Sequence, residues 1–274
     1  MKRQLLDMVV VITGASAGIG KALAEKLNEN GAKLLLSARR EDRLAELNRA
    51  LGSNHLVVRA DVARPEDCER LITAAKEHFG RIDTLVCNAG YGIARALADM
   101  SHDEMAKLFA TNVFGTTDCI RAAVPIMIKQ EPRDGWRGQI MIVSSAAARR
   151  GLPFFSAYSA TKAAQLNLAE GLRVELRDDA IAVTTVLPVG TETDFFTIAQ
   201  EHGRMKMPPP GAGERRQSAA TVARKMVAAI ARPRPELWPM LPARYGLIAS
   251  ALVPGLTDRV MSRYRGDFQP TDGT

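Results

Sequence analysis

Residues 9–20 of the chain are VVVITGASAGIG. The apolar run Met8–Ile12 predicts a short strand buried on both faces, and a helical pattern follows the glycines. Gly14, Gly18 and Gly20 would allow a tight bend, a close approach of backbone to a pyrophosphate and close packing of the helix on the sheet. The N-terminus of that helix would then favour negative charge. The spacing G-x-x-x-G-x-G alone fits a nucleotide site or a plain tight turn, and its position after the first strand favours the nucleotide site.

Short apolar runs and longer helical patterns alternate along most of the chain. Further strand-like runs occupy residues 34–36, 56–58, 84–87, 140–143 and 182–187, and helical periodicity occupies residues 19–29, 42–51, 66–79, 103–129 and 154–177. Ser101 and Glu104 form the S-x-x-E pattern of a capping box at the start of the fourth helix. Strands that alternate with helices are typical of right-handed crossovers. The predicted fold is therefore α/β: a doubly wound, Rossmann-type parallel sheet of about seven strands, flanked by helices.

The pattern changes in residues 201–274. Three consecutive prolines predict a loop over residues 203–213, which is either a lid over a substrate or a tolerated surface loop. Ser218 is a suitable N-cap for a helix over Ala219–Ala231. Pro239 confines any strand near it to a sheet edge, and residues 245–265 have a helical pattern interrupted at Pro254. We predict a single domain over residues 1–274, in which residues 201–274 supply a substrate loop and a basic, helical C-terminal extension.

Composition excludes several classes of protein. The chain has 274 residues, 46% of them hydrophobic, which suffices for one large domain and excludes a disordered chain. The net charge of +7 is uneven, because residues 1–200 have 25 Lys and Arg against 24 Asp and Glu, and residues 201–274 have 12 against 6. No recognition-helix or RNA-binding motif accompanies the basic tail, so we predict no nucleic-acid partner. Its segment Tyr245–Leu256 either packs on the domain or lies on an anionic membrane surface.

Cysteine and histidine spacing bears on compartment and metals. Cys68, Cys87 and Cys119 lack the spacing of a disulfide scaffold or a zinc site, which favours a reducing compartment, the cytoplasm. The four histidines are widely separated, so no metal site is predicted.

Asp7 interrupts the apolar residues near the N-terminus, which argues against a secretory signal. No run approaches the ~20 apolar residues of a membrane span.

The end of the second strand predicts which dinucleotide would bind. An NAD site has an acidic residue there for the ribose 2′-hydroxyl, and an NADP site has an arginine near the 2′-phosphate. Here Ser37 and Ala38 carry no acid, and Arg39 and Arg40 follow at once. The pair either binds a phosphate or only opens a solvated helix, and the missing acid favours NADP(H).

Four polar residues are candidates for catalysis. Tyr158 and Lys162 lie four residues apart in a helical pattern and therefore share one face, where an ammonium lowers the pKa of a phenol from about 10. Ser145 follows the strand over residues 140–143, where its hydroxyl would orient a carbonyl. Asn112 falls within an apolar helical pattern and requires a hydrogen-bond partner. Taken singly, these residues fit a surface pair, a cap and an exposed amide.

Taken together, the motifs resemble the short-chain dehydrogenase/reductase family over roughly residues 7–200. The matching elements follow in order at the family's spacing: Thr13–Gly20, Asp61-Val62, Asn88-Ala89-Gly90, Asn112, Ser145, and the Tyr-x-x-x-Lys motif of Tyr158 and Lys162. Within the family, the chain resembles the NADP-preferring members.

The resemblance implies a role for each matching residue. Tyr158 would be the general acid in reduction and the base in oxidation. Lys162 would lower the pKa of Tyr158 and bind the nicotinamide ribose. Ser145 would hold the substrate oxygen, and Asn112 would hold a water of a proton relay behind Lys162. The implied cofactor contacts are Gly14, Ser16, Gly18, Ile19, Gly20, Arg39, Asp61, Val62, Asn88, Ala89, Gly90, Tyr158, Lys162, Pro188, Thr191 and Thr193.

The chain departs from the family pattern beside the expected nicotinamide. Where the family usually has Pro-Gly, this sequence has Pro188-Val189-Gly190, which adds a side chain. Residues in segments that flank the substrate are mostly apolar and predict a neutral or lipophilic carbonyl compound or alcohol, although several would serve equally as core. They are Tyr91, Ala146, Leu152, Phe154, Phe155, Val189, Phe195 and Phe196.

The sequence thus predicts an NADP(H)-dependent oxidoreductase that moves a hydride between nicotinamide and a carbonyl or secondary alcohol. The alternatives are a catalytically silent dinucleotide-binding regulator, a membrane-surface reductase of a lipophilic ketone, and an epimerase or dehydratase on the same fold. The four intact catalytic candidates disfavour the regulator. The resemblance further implies a homodimer or homotetramer that pairs through the helices over residues 103–129 and 154–177.

Overall fold

The computed structural model describes residues 2–203, 205–206, 216–265 and 269–270. Its centre is a sheet of seven parallel strands: β1 Val9–Thr13, β2 Lys33–Ala38, β3 Leu56–Arg59, β4 Thr84–Cys87, β5 Gly138–Val143, β6 Ile181–Val186 and β7 Glu236–Leu237. The strand order is 7-6-5-4-1-2-3, so the chain winds outward in both directions from the β1–β4 pair. The predicted doubly wound sheet is confirmed, and the strand next to Pro239 lies at its edge.

Helices cover both faces of the sheet because its strands alternate their side chains. Val10 and Ile12 of β1 pack in one apolar cluster with the helices over residues 18–28, 41–50 and 219–231, and Val11 packs in another with the helices over residues 65–79, 115–129 and 156–175. The helices are α1 Gly18–Asn28, α2 Glu41–Ala50, α3 Pro65–Phe79, α4 His102–Phe109, α5 Gly115–Lys129, α6 Ser156–Glu175, α7 Phe195–Gly203, α8 Ala219–Ala231, α9 Leu241–Leu252 and α10 Pro254–Arg265.

Residues 102–129 are helical, as the pattern over residues 103–129 predicts, but a π-helical turn, Ala110–Phe114, lies between α4 and α5. The apolar periodicity continues through the turn, so the sequence pattern does not reveal it. The wider turn carries Asn112 into the interior. Single π turns often lie at functional sites. The capping box at the start of α4 is confirmed, since the Ser101 side chain accepts from the Glu104 amide and the Glu104 side chain accepts in return.

The described part of the C-terminal extension contains the helices α8, α9 and α10 and the edge strand β7. Ser218 caps α8 as predicted, because its hydroxyl accepts from the Thr221 amide. The break between α9 and α10 falls at Val253, and Pro254 opens the second helix, the position where a missing amide hydrogen costs nothing. Most of the loop predicted over residues 203–213 lies outside the described residues. None of the described helices is long and apolar enough to cross a membrane.

Candidate active site

The predicted cofactor and catalytic residues, except Gly20 and Asn112, line one cavity at the carboxyl ends of the strands. The cavity has a volume of about 1850 Å³. It lies beside the point where the strand order reverses, between β1 and β4. Open α/β sheets bind their ligands at such a point. The cavity joins the glycine-rich turn to Ser145, Tyr158 and Lys162.

The glycine-rich turn has the shape of a diphosphate cradle. Gly14 and Gly18 have φ angles of +67° and +54°, which side chains rarely adopt, and a Cβ on Gly14 would lie 2.9 Å from the Ala89 Cα. The first turn of α1 has no acidic residue and no side-chain cap, so its free amide groups suit an anion. Gly20 does not line the cavity: a Cβ there would lie 2.4 Å from the Gly14 carbonyl oxygen, so its role is close packing.

Hydrogen bonds between the ends of β1 and β4 hold this turn in place. The Thr13 hydroxyl accepts from the amides of Asn88 at 3.0 Å and Ala89 at 3.1 Å. In return, Asn88 Nδ2 donates to the carbonyl oxygens of Thr13 at 3.0 Å and Gly14 at 3.1 Å. Asn88 therefore lines the cavity and fixes the turn at the same time.

The end of β2 presents positive charge to the cavity. β2 ends at Ala38, and Arg39 and Arg40 follow with exposed side chains that line the cavity. Arg40 Nη2 donates to Ser16 Oγ at 3.2 Å, which brings a guanidinium against the glycine-rich turn. Asp61 and Val62, the matches to the family's adenine motif, also line the cavity. This basic corner fits a ribose that carries a 2′-phosphate.

Burial sets the ionisation of Tyr158 and Lys162. It raises the pKa of the Tyr158 phenol to about 12, and a hydrogen bond with Ser145 opposes part of that rise. Burial also lowers the pKa of the Lys162 ammonium to about 7. The expected lowering of the phenol pKa by Lys162 is not seen, because Lys162 Nζ donates elsewhere, to Val143 O and Gln165 Oε1, each at 2.9 Å. Nζ lies 5.6 Å from the centre of the Tyr158 ring.

Asn112 lies behind the cavity and does not line it. Its side chain is fully buried: Oδ1 accepts from the Tyr91 amide at 3.1 Å, and Nδ2 donates to Tyr91 O at 2.9 Å and to Thr161 Oγ1 at 3.0 Å. The predicted need for hydrogen-bond partners is confirmed. Because Thr161 precedes Lys162, these bonds tie the π turn to the catalytic face of α6.

The substrate side of the cavity is largely aromatic and aliphatic. Phe195 and Phe155 flank the Tyr158 ring, with ring centres 5.1 and 6.1 Å away. Among the eight residues predicted here, Phe154 is the exception, because it does not line the cavity. Its φ of +61° turns the backbone, and its carbonyl accepts from the Arg95 amide at 2.7 Å.

Charged residues that carry no sequence motif also form part of the cavity wall. Lys107, Arg150 and Arg216 line it, and each has a partner within the protein. Lys107 binds Asp103 at 2.6 Å, Arg150 pairs with Asp258, and the Arg216 guanidinium lies 4.3 Å from the centre of the Phe196 ring. Lys107 and Arg150 are therefore each paired with a carboxylate, whereas Arg216 keeps its positive charge over an aromatic ring.

Two further parts of the site have weak sequence signals. α9 and α10 form a roof over the cavity through Leu247, Ser250, Val260 and Met261, as a capping C-terminus would. Gln165, fully buried, contacts Lys162. The sequence feature that could have identified Gln165 is its position three residues after Lys162, which places both side chains on one face of α6.

The chain is similar to known proteins over most of its length. Residues 8–203 match the family model described as short chain dehydrogenase. The 11-beta-hydroxysteroid dehydrogenase-like 3 protein of Arabidopsis thaliana is 40% identical over 194 residues, 69% of this chain and 60% of that protein. An uncharacterized oxidoreductase of Staphylococcus aureus is 31% identical over 211 residues, 77% of this chain and 89% of that protein. The chain thus spans about 60% of the length of the plant relative.

A solved structure matches the whole chain. It is a short chain dehydrogenase/reductase from Burkholderia phymatum in complex with NAD, with a TM-score of 0.80 and 26% sequence identity. The match covers 99% of each chain.

Proposed function

The chain belongs to the short-chain dehydrogenase/reductase family of oxidoreductases, and we propose that it moves a hydride between NADP(H) and the carbonyl or secondary-alcohol carbon of a neutral or lipophilic substrate. The observation that carries the proposal is the meeting of Ser145, Tyr158 and Lys162 with the glycine-rich turn in one cavity. The turn would hold the diphosphate of the cofactor, and Thr191 and Thr193 would contact its nicotinamide end.

In the proposed mechanism, bound nicotinamide would supply the carbon that gives or accepts the hydride. Ser145 binds the substrate oxygen and orients it toward Tyr158. Tyr158 donates a proton to that oxygen during reduction and removes it during oxidation. Lys162 lies behind the phenol of Tyr158. The aromatic side chains of Phe155 and Phe195 flank the Tyr158 ring and exclude water from it.

The protonation state of Tyr158 at neutral pH is the one that the reduction step requires. Because burial raises its pKa to about 12, the phenol keeps its proton at neutral pH and is ready to donate it. Oxidation requires the phenolate, which becomes more abundant as the pH rises. We therefore propose a carbonyl reductase at neutral pH whose oxidative activity increases in alkaline solution.

The preference for NADP(H) rests on the end of β2. Ala38 offers no carboxylate to a ribose hydroxyl, and the exposed guanidinium groups of Arg39 and Arg40 line the same part of the cavity. Guanidinium groups bind phosphate through paired hydrogen bonds. The NAD in the Burkholderia phymatum complex belongs to that protein, whose sequence is 26% identical.

The decisive experiment replaces the proposed proton donor. Tyr158→Phe should bind NADPH as tightly as the wild type does, as measured by the quenching of protein fluorescence. Its turnover number with ketones, aldehydes and alcohols should be at least about a hundredfold lower. Tyr245→Phe, at a tyrosine that is 65% exposed, is the matched control and should keep full turnover. Activity that survives in Tyr158→Phe would reject the assignment. Cofactor binding by a wild type inactive on the whole panel would favour the silent regulator.

A second proposal concerns the outer face of the roof helices. Leu241, Tyr245, Ile248 and Leu252 recur at helical spacing along α9 and are 53–80% exposed, beside the exposed Arg244. An apolar stripe flanked by positive charge suits an anionic lipid surface. Because the inner faces of α9 and α10 line the cavity, a lipophilic substrate would enter from that surface.

Vesicle binding tests this contact. The wild type should sediment with phosphatidylserine vesicles, and Ile248→Ser combined with Leu252→Ser should weaken that binding about tenfold or more. Val174→Ser, at a valine that is 77% exposed on α6, is the matched control and should leave binding unchanged. Absence of binding by the wild type would reject the contact.

The homodimer or homotetramer implied by the family stays a prediction, for which the exposed Phe114 and Val174 are candidate contacts.

A further inference from the structure

Gln165 connects Lys162 to the π turn through a fully buried amide. Its Oε1 accepts from Lys162 Nζ at 2.9 Å. Its Nε2 donates to the main-chain carbonyl of Asn112 at 2.6 Å and to Thr116 Oγ1 at 2.9 Å. An amide therefore stands between the ammonium and the Asn112 carbonyl, where the family resemblance implies a water.

The chemistry of the neighbours allows this amide only one orientation. An ammonium only donates, so it must meet the carbonyl oxygen of Gln165, and a main-chain carbonyl only accepts, so it must meet the NH₂ group. The Thr116 hydroxyl donates to Asn112 O at 2.9 Å and is therefore free to accept from Nε2. Both polar atoms of the Gln165 side chain are satisfied, as a buried amide requires.

We propose that Gln165 is a positioning residue, which holds the Lys162 ammonium behind Tyr158 by linking it to the Asn112 carbonyl. This inference rests on the proposed function. An amide also differs from water as a bridge, because its donor and acceptor are separate atoms and it does not pass a proton from one neighbour to the next. The buried side of Lys162 is then closed to a proton relay, and protons reach the site from the cavity.

The charges around Lys162 are few. Among the described residues, no carboxylate oxygen lies within 4.0 Å of Lys162 Nζ, the limit for an ion pair. Burial is the one cause that shifts the pKa of Lys162. The ionisable side chain that faces it is Tyr158, and its other contacts, Val143 O and Gln165 Oε1, are neutral acceptors. Loss of one acceptor disfavours the charged ammonium and lowers the pKa further, whereas a carboxylate in its place raises it.

Two substitutions of Gln165 test the proposal. Gln165→Met keeps the length of the side chain and removes its hydrogen bonds, and Gln165→Glu keeps an oxygen for Lys162. Gln139→Met is the matched control, because Gln139 is an equally buried amide that binds Arg3 and Thr184, away from the cavity. We expect all three variants to unfold more easily than the wild type.

The readout that separates positioning from packing is the titration of Lys162. In the cofactor-free protein, followed by NMR of labelled lysine side chains, the midpoint for Lys162 should fall by about one pH unit in Gln165→Met and rise in Gln165→Glu. The corresponding limb of the pH profile of kcat should move in the same directions. Gln139→Met should move neither.

An unchanged lysine midpoint in both Gln165 variants would overturn the proposal and leave Gln165 as core packing. If Gln165→Met does not fold, a midpoint in Gln165→Glu that fails to rise would overturn it equally. Because the NMR titration needs no turnover, a protein inactive on every carbonyl compound but with the expected shifts would reject the proposed function and keep the role of Gln165.

Discussion

At the scale of single residues, the site contains two ionisable groups that are almost fully buried. Burial favours the neutral amine of Lys162 and the neutral phenol of Tyr158, since it lowers one pKa to about 7 and raises the other to about 12. A buried ionisable group costs folding free energy whenever the solution charges it. The protein therefore has a stability that depends on pH through residues of its own active site.

Lys162→Met makes this dependence measurable. Above pH 7 the folded chain has lost the Lys162 proton, which the unfolded chain keeps up to the ordinary lysine value of 10.5, so the free energy of unfolding rises with pH in this window. The methionine variant lacks that rise. Between pH 6 and pH 9 the wild type should gain about 1–3 kcal/mol relative to the variant, measured by urea unfolding at both pH values.

The control for this measurement is Lys76→Met, at an exposed lysine of α3. Its difference from the wild type should be the same at pH 6 and pH 9. Equal pH dependence in the wild type and Lys162→Met would contradict a depressed pKa at Lys162. Above pH 10, Tyr158 acts in the opposite direction, because the folded chain then keeps a phenol proton that the unfolded chain loses.

Ala38→Asp should reverse the preference for the cofactor. A carboxylate at the end of β2 repels a 2′-phosphate and accepts a hydrogen bond from a 2′-hydroxyl. The ratio of kcat/KM for NADPH to that for NADH should fall at least about tenfold. Ala45→Asp adds the same charge at an exposed position of α2 and should leave the ratio unchanged. A ratio unaltered by Ala38→Asp would place the ribose elsewhere.

At the scale of secondary structure elements, α5 follows directly on the π turn and packs closely against Val62 in the cavity wall. Gly115, the first residue of α5, lies so near Val62 that a Cβ there would be 2.6 Å from the Val62 carbonyl oxygen. Backbone atoms on both sides leave little room for adjustment. Only a residue without a side chain permits this contact.

Gly115→Ala should therefore destabilise the protein by about 1–3 kcal/mol, the usual effect of overpacking, in spite of the better helix propensity of alanine. Gly171→Ala in α6 is the matched control, because its Cβ would meet only the Glu175 carboxylate, at 3.4 Å. It should be neutral or stabilising by up to about 1 kcal/mol. Chemical denaturation measures both. Equal effects of the two substitutions would mean that α5 shifts freely.

The elements differ in how well the sequence predicts them. Strands β1 and β4–β6 follow from apolar runs buried on both faces, and the caps at Ser101 and Ser218 follow from local hydrogen-bond chemistry. The π turn does not, because the buried positions 108, 112, 116, 120, 123 and 127 keep the spacing of an ordinary helix on both sides of it. A local sequence pattern also does not predict the hydrogen-bond partners of Asn112 and Gln165. Asn112 binds Thr161 and Gln165 binds Thr116, and each pair is 49 residues apart in the sequence.

At the scale of the whole molecule, the three cysteines lie together in the core between the sheet and its helices. Cys68, Cys87 and Cys119 are free and at most 2% exposed, and burial raises the pKa of the Cys87 thiol. A thiol reacts as its thiolate, so buried neutral thiols are inert.

The native protein should accordingly show almost no reaction with Ellman's reagent. In denaturant under otherwise equal conditions, all three thiols should react. The rate at which the native protein loses its thiols then measures the opening of the core. Rapid reaction of one thiol in the native protein, with its fold intact by circular dichroism, would contradict the packing of this face.

The roof formed by α9 and α10 lies outside residues 8–203, the part of the chain that the family model matches. The roof and the part of the chain that carries Ser145, Tyr158 and Lys162 are thus separate stretches of polypeptide, which are joined where Leu247 packs near Leu166 and Leu187 and where Arg150 pairs with Asp258. Substitutions in one are free to accumulate without disturbing the chemistry of the other. A chain of this kind can therefore change its substrate through substitutions in the roof and keep the same reaction.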